Sequence, residues 1–182
     1  MNEELKTLKI VAQCLEKANI PYMVSGSIAA NYYTLPRMTR DIDIVIELKE
    51  NAVDPFIAIF KDDFYVDDEM VRREVFNKGI FNLIHKEYVV KIDFIIRKES
   101  AFQTSVFNRK IRASFQGHEL WLISAEDLIL AKLLWAKDSR SEMQLKDVKN
   151  LLNTGQNLDR SYIEEWLNKL QLKDMFHKAT HE

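Results

Sequence analysis

The chain has one cysteine, Cys14, in 182 residues, which excludes an internal disulfide framework and predicts a reducing compartment. Cys14 lies among Leu5, Leu8, Val11, Leu15 and Ala18 at helical spacing and is expected in the core rather than as a reactive thiol. His85, His118, His177 and His181 show no metal-ligand spacing with one another or with Cys14, which argues against zinc. No apolar run approaches the ~20 residues of a membrane helix, so no membrane partner is expected. The start, Met1-Asn2-Glu3-Glu4, is acidic and opens an amphipathic pattern, unlike a secretory signal or a transit peptide. A cytoplasmic location is the expectation. An excess of one charge is also missing: the net charge is −2 and the pI is near 6.1, so no global positive field attracts nucleic acid, which a local patch would have to hold. With three prolines and no low-complexity tract, nothing reads as a linker. What is present, 47% hydrophobic and 30% charged residues in 21.4 kDa, describes a globular chain at the upper end of one ordinary domain.

Glycine is scarce too. Four glycines in 182 residues is under a third of the ~7% of average usage, so each marks a place where the backbone needs one. Gly79, Gly117 and Gly155 fall in turns. Gly26 instead stands between the apolar Tyr22-Met23-Val24 and the helical pattern Ile28-Ala29-Ala30-Asn31-Tyr32-Tyr33. A glycine there lets the main chain approach a phosphate. The free N–H groups of the helix start can then hold it, with Ser27 adding a hydroxyl donor. A plain strand-to-helix turn with a serine cap is the other reading.

A short loop later comes Arg37-Met38-Thr39-Arg40-Asp41-Ile42-Asp43-Ile44-Val45-Ile46. In a strand, Asp41 and Asp43 share one face and Ile42, Ile44 and Ile46 the other. The Cα atoms of the two acids stand roughly 6.6 Å apart at ~3.3 Å rise per residue, close enough to share hard cations. Without a cation the acids repel. A solvated entry to a buried strand is the alternative. Pro36 forces an extended loop that delivers Arg37, Thr39 and Arg40 to the mouth of the strand. There the arginines either grip a triphosphate through forked contacts or neutralise the two aspartates. A third acid, Asp93, interrupts Val89-Val90-Lys91-Ile92-Asp93-Phe94-Ile95-Ile96 and shares parity with Lys91. So apolar a run makes an acid costly unless it is paired or holds a metal; a salt bridge to Lys91 is the competing reading.

Gly26-Ser27, the Arg37-x-Thr39-x-Asp41-x-Asp43 run and the lone Asp93 together resemble the nucleotidyltransferase superfamily related to DNA polymerase beta, and within it the small AbiEii-type bacterial proteins. The likeness spans roughly residues 22–152. It implies an α+β fold, a mixed sheet flanked by helices with a C-terminal helical tail. It also implies a metal-dependent transferase that moves a nucleoside monophosphate from an NTP to an acceptor hydroxyl. Asp41, Asp43 and Asp93 would bind two Mg²⁺ ions, Asp93 also helping to deprotonate the acceptor, and Gly26 and Ser27 would hold the β- and γ-phosphates. Lys132 and Asp147 resemble a lysine and an aspartate that complete the site in AbiEii-like enzymes, whereas periodicity alone reads them as surface charges. The implied acceptor is tRNA or protein, in a toxin with a cognate antitoxin as partner. A catalytically silent nucleotide-binding module and an antibiotic-modifying transferase are the alternatives.

Residues 1–122 are expected to form the transferase core and residues 123–182 a helical region packed on it. In chain order the pattern predicts a helix near 3–19, a strand at 22–24, the Gly26 turn and helix, and a strand at 41–47. A helix at 53–60, a short strand at 64–66, a helix at 67–76 and a hairpin of 80–85 with 88–96 follow. Beyond these the pattern predicts a helix at 100–107, a hairpin at 110–122 turning at Gln116-Gly117, and helices from Ser124, over 141–152 and over 159–170. Arg109, Lys110 and Arg112 form a basic patch, open to an acceptor nucleic acid or simply a polar strand face.

Overall fold

The structure, a computed structural model, describes residues 3–39, 41–155 and 157–181. Its first half runs α1 (Glu3–Lys17), β1 (Tyr22–Val24), α2 (Gly26–Tyr33), β2 (Asp41–Ile46), α3 (Val53–Phe60), β3 (Phe64–Tyr65), α4 (Asp68–Asn77), β4 (Ile80–His85) and β5 (Lys91–Ile96). The second half runs α5 (Ala101–Asn108), β6 (Ile111–Phe115), β7 (His118–Leu122), α6 (Ala125–Ser139), α7 (Glu142–Thr154), α8 (Arg160–Lys169) and α9 (Lys173–His181). The seven strands form one mixed sheet in the order β3-β4-β5-β2-β1-β7-β6. Neighbours β2 and β5 are parallel, as are β1 and β7, while the remaining pairs are antiparallel. The architecture is the mixed α+β one that the sequence pattern predicts.

Strand alternation builds the two faces. Ile42, Ile44, Ile46, Ile92, Phe94 and Ile96 all point into one core, closed by the apolar stripes of α1, α3 and α4 (Leu8, Val11, Phe56, Phe60, Val71). Met23 and Val45 face a second core, filled by α2, α5, α6, α7 and α8 (Ala29, Phe102, Leu133, Val148, Trp166). Phe94 anchors the first core, with ring centroids 5.4 Å from Phe56 and from Phe81 and 5.9 Å from Phe60.

Two elements differ from the sequence pattern. Strand β5 begins at Lys91 rather than Tyr88, because the His85 ring accepts from the Tyr88 N–H and Val89 turns back at φ 53°. That makes a wider loop than a two-residue hairpin. The other difference is α9, which follows a left-handed Gln171 (φ 55°) and docks through Leu172 and Ala179, with Met175 and Phe176 packed beside them. Its i, i+3, i+4, i+7 spacing was present in the sequence. Cys14 is half-buried against the first core, and burial pushes its thiol up, away from reactivity.

Helix α6 starts where predicted. The Ser124 hydroxyl accepts from the Asp127 N–H at 3.2 Å and donates to the Asp127 carboxylate at 2.7 Å. Asp127 is fully buried and also accepts from the Tyr162 hydroxyl (2.6 Å) and from Arg109 (3.2 Å), so one carboxylate ties α6 to α8 and to the end of α5. Truncation of Phe94 to alanine is expected to cost about 3–5 kcal/mol, read as a lower urea midpoint at an unchanged denaturant slope.

Candidate active site

The site lies where three strand ends meet. Because β1 runs antiparallel to β2, with Val24 opposite Ile44, its exit is brought beside the entry of β2. The Ser25 N–H bonds the Asp43 carbonyl at 2.9 Å. Because β5 is parallel to β2, its entry lies on the same edge, and the register pairs Asp43 with Asp93 and Asp41 with Lys91. Asp43 and Asp93 therefore project from one rung to the same side, on backbones about 4.8 Å apart.

Gly26 begins α2 in the left-handed region, at φ +61°. A Cβ there would fall 1.9 Å from the Asp43 Oδ2 and 2.6 Å from its Cγ, so glycine is required both by the turn and by the carboxylate packed against it. The capping alternative does not hold for this helix. Ser25 occupies the N-cap with no side-chain bond to the backbone, and the Ser27 hydroxyl is turned to Arg37, which donates to it at 2.8 Å.

A second cluster adjoins the first. Arg37 reaches Asp147 through Nε (3.2 Å) and Nη2 (2.9 Å). Lys132 donates to the same carboxylate at 2.8 Å and to Gln144 at 2.9 Å. Lys132 and Asp147 are each only 4% exposed, which sets aside the surface-charge reading of both. Arg37 is matched with Asp147 rather than with Asp41 or Asp43. Its backbone is clamped by Asn31, whose side-chain amide donates to the Arg37 carbonyl (2.8 Å) and accepts its N–H (3.0 Å). Thr39 donates to the Asp41 carbonyl at 3.3 Å, at the exposed rim of the strand. Arg40 lies outside the described residues.

Electrostatics separates the two clusters. Burial, then the negative charge of Asp93, push the Asp43 carboxyl up, with Lys132 offsetting part of the shift. Burial acts the same way on Asp147, but the hydrogen bonds from Arg37 and Lys132 outweigh it and hold that carboxyl below the usual range. Lys91 stands within the acid cluster, 2.8 Å from Asp93 and 3.6 Å from Asp41. No three His, Cys, Asp or Glu side chains are grouped as ligands of one ion among the described residues. The donors present still fit Mg²⁺, which takes hard oxygens and is commonly held by one or two carboxylates plus substrate phosphates. Asp43 and Asp93 supply such a pair, beside a main-chain turn stripped of its Cβ. Asn31 and Gln144 were not singled out from the sequence. For Asn31 the signal was an asparagine inside a short apolar helix, a poor place for one unless its amide is used.

The basic patch is spent on local partners. Arg109 pairs with Asp127 and Glu126 and lies 3.8 Å from the Tyr162 ring centroid. Arg112 pairs with Glu16 at 2.7 Å, and Lys110 lies 4.1 Å from the Phe107 ring centroid.

Two outcomes are expected from this geometry. Gly26→Ala forces a left-handed alanine, itself about 1–2 kcal/mol, and pushes Asp43 aside. The melting temperature should fall. Asp147→Ala leaves Lys132 buried without its counter-charge and is expected to cost about 3–5 kcal/mol by chemical denaturation. Because the Asp147 carboxyl sits lower in the folded state, its contribution is complete above the unfolded value of about 3.9 and is lost as pH falls below it. Asp147→Asn should flatten that acid limb of the stability curve.

No protein-family model matches the sequence, and no curated protein matches it either. Solved structures do match. An antigenic nucleotidyltransferase-like protein from Paracoccidioides brasiliensis superposes with a TM-score of 0.59 at 18% identity, over 98% of this chain and 92% of that one. The lincosamide antibiotic adenylyltransferase LnuA, in its lincomycin-bound structure, gives 0.56 at 19% identity, over 82% of this chain and 96% of its own. The solution structure of the antibiotic-resistance factor ANT(2'')-Ia gives 0.62 at 14% identity, over 100% of both chains. What these proteins share with the chain is the overall arrangement of strands and helices. The fold of this protein is the one found in these nucleotidyltransferase-like and adenylyltransferase structures.

Proposed function

We propose that this protein is a Mg²⁺-dependent nucleotidyltransferase that moves a nucleoside monophosphate from an NTP to an acceptor hydroxyl. The observation that carries the reading is the Asp43–Asp93 rung with Gly26 packed against it. In-line displacement on a phosphate needs negative charge absorbed at the attacking and leaving oxygens and the reactants held in line. Gly26, Ser27 and the free N–H groups of α2 would hold the β- and γ-phosphates. Arg37 and Lys132 share a single carboxylate, so one positive charge is left in surplus to meet those phosphates. Both oxygens of Asp147 are taken by these cations, so its role is to position them. Asp93 would accept the proton of the attacking hydroxyl. Up to two Mg²⁺ ions, when held by Asp41, Asp43 and Asp93, would supply Lewis-acid polarisation of the phosphates.

The acceptor we favour is a small hydroxylated molecule. ANT(2'')-Ia is also solved in complex with adenylyl-2''-tobramycin, and LnuA with lincomycin. Against tRNA stands the engagement of Arg109, Lys110 and Arg112 with acids and rings of the chain itself, on a molecule of net charge −2. A protein acceptor and a toxin role with a cognate antitoxin are the outcomes to be excluded.

Labelled NTPs with Mg²⁺, offered a lincosamide, an aminoglycoside, tRNA and protein in turn, test the reading. The expected result is label on a small acceptor with release of pyrophosphate. Asp43→Ala should lower the rate on the order of a hundredfold or more, the usual cost of removing an electrostatic stabiliser of the transition state. Mg²⁺-dependent NTP binding without pyrophosphate release would instead identify a silent module. Transfer undiminished in Asp43→Ala would overturn the mechanism.

A further inference from the structure

Lys91 is not used by the chemistry above, yet it sits inside the acid cluster. Its place follows from the chain. Two residues before Asp93 on β5, it shares that residue's face, and the parallel register sets it opposite Asp41. Its ammonium lies 2.8 Å from the Asp93 Oδ2 and 3.6 Å from the Asp41 Oδ1. One tethered cation therefore bridges carboxylates from two strands, while Asp43 stands beside Asp93 on the next rung. The lysine side chain is 40% exposed, and its flexible stem can turn to water without opening the core.

We propose that Lys91 is a built-in counter-ion of this cluster, and that a divalent cation enters only by displacing its ammonium from Asp41 and Asp93. The inference rests on the reading of these acids as ion ligands and goes beyond it by naming a residue that opposes loading. The physical reason is shared oxygens. A carboxylate oxygen that accepts a charge-assisted bond from an ammonium is less available to a metal ion, and the ammonium repels the ion besides. With Lys91 in place the free protein keeps its acids together at a cost in metal affinity. Without it the acids repel one another, and a divalent ion gains them undivided.

The test is a Mn²⁺ titration of the full chain without nucleotide, read by the electron paramagnetic resonance of free Mn²⁺. Wild type is compared with Lys91→Met, Lys91→Gln, Lys91→Arg and Asp43→Ala. Lys91→Met and Lys91→Gln should bind Mn²⁺ roughly threefold tighter or more, the scale of a partly exposed ion pair. Lys91→Arg, which keeps the charge, should bind like wild type. As a second readout, Mg²⁺ should raise the melting temperature of both neutral variants by more than it raises that of wild type. The two neutral variants differ in shape, so a folding defect in one leaves the other to decide. Should Asp43→Ala abolish binding while both neutral variants bind no tighter than wild type, the role of Lys91 is overturned and the ion site stands. Should no chain bind Mn²⁺, or should binding ignore Asp43→Ala, the ion site and the role of Lys91 fall together.

Discussion

Two carboxylates on one rung of a parallel strand pair repel, and this protein is folded around that repulsion. Asp43 and Asp93 are held side by side by the β2–β5 register, and the strain registers as an upward push on the Asp43 carboxyl from burial and from its neighbour. The opposing force lies on the other face of the same two strands. Ile42, Ile44, Ile92 and Phe94 are all fully buried there, each contributing about 1.5–3 kcal/mol of apolar burial. Alternation makes the two inseparable, since a slip of one residue would exchange the isoleucines and the acids between the two faces of the sheet. Lys91 and Lys132 are the positive charges that temper the repulsion, one from the strand itself and one from the helix laid across it.

The helices that follow the sheet complete the charge arrangement. Asp147 on α7 collects Arg37 from the loop before β2 and Lys132 from α6, so three separate stretches of chain meet at one carboxylate. Asn31 fixes the backbone of Arg37, and Arg37 in turn holds the Ser27 hydroxyl. Helix α2 thus supplies both the turn at Gly26 and the clamp that aims a guanidinium at it. The Tyr33 hydroxyl donates to the Ile123 carbonyl at 2.7 Å, and Thr154 donates to the Tyr33 carbonyl at 3.1 Å. The end of α2 is therefore stapled to both ends of the α6–α7 pair.

The sequence was most legible where physical chemistry is local. Strand parity at Asp41, Asp43 and Asp93, the scarcity of glycine at Gly26, and the Ser124 cap could all be read from neighbours in the chain. The boundary of β5 was not, because it depends on the His85 ring accepting from the Tyr88 N–H. Periodicity misplaced Lys132 and Asp147 for a related reason. A charge whose partner lies 15 residues away on another helix, or 110 residues away on a loop, looks like any solvated charge in a linear pattern. The resemblance singled those two residues out, and their ion pair across α6 and α7 is what lets both tolerate burial. Lys91 was legible only as an alternative, a salt bridge to Asp93, and that contact is present.

Between β2 and β5 in the chain lie α3, β3, α4 and β4: the two strands extend the sheet beyond β5 and the two helices close one of its faces. Parallel pairing across so long an excursion must wait until the intervening segment has closed its loop, an entropic toll absent from neighbouring hairpins. Any stretch of the chain that stops short of Asp93 lacks one of the two carboxylates of the rung, so the pair is assembled only once β5 is present.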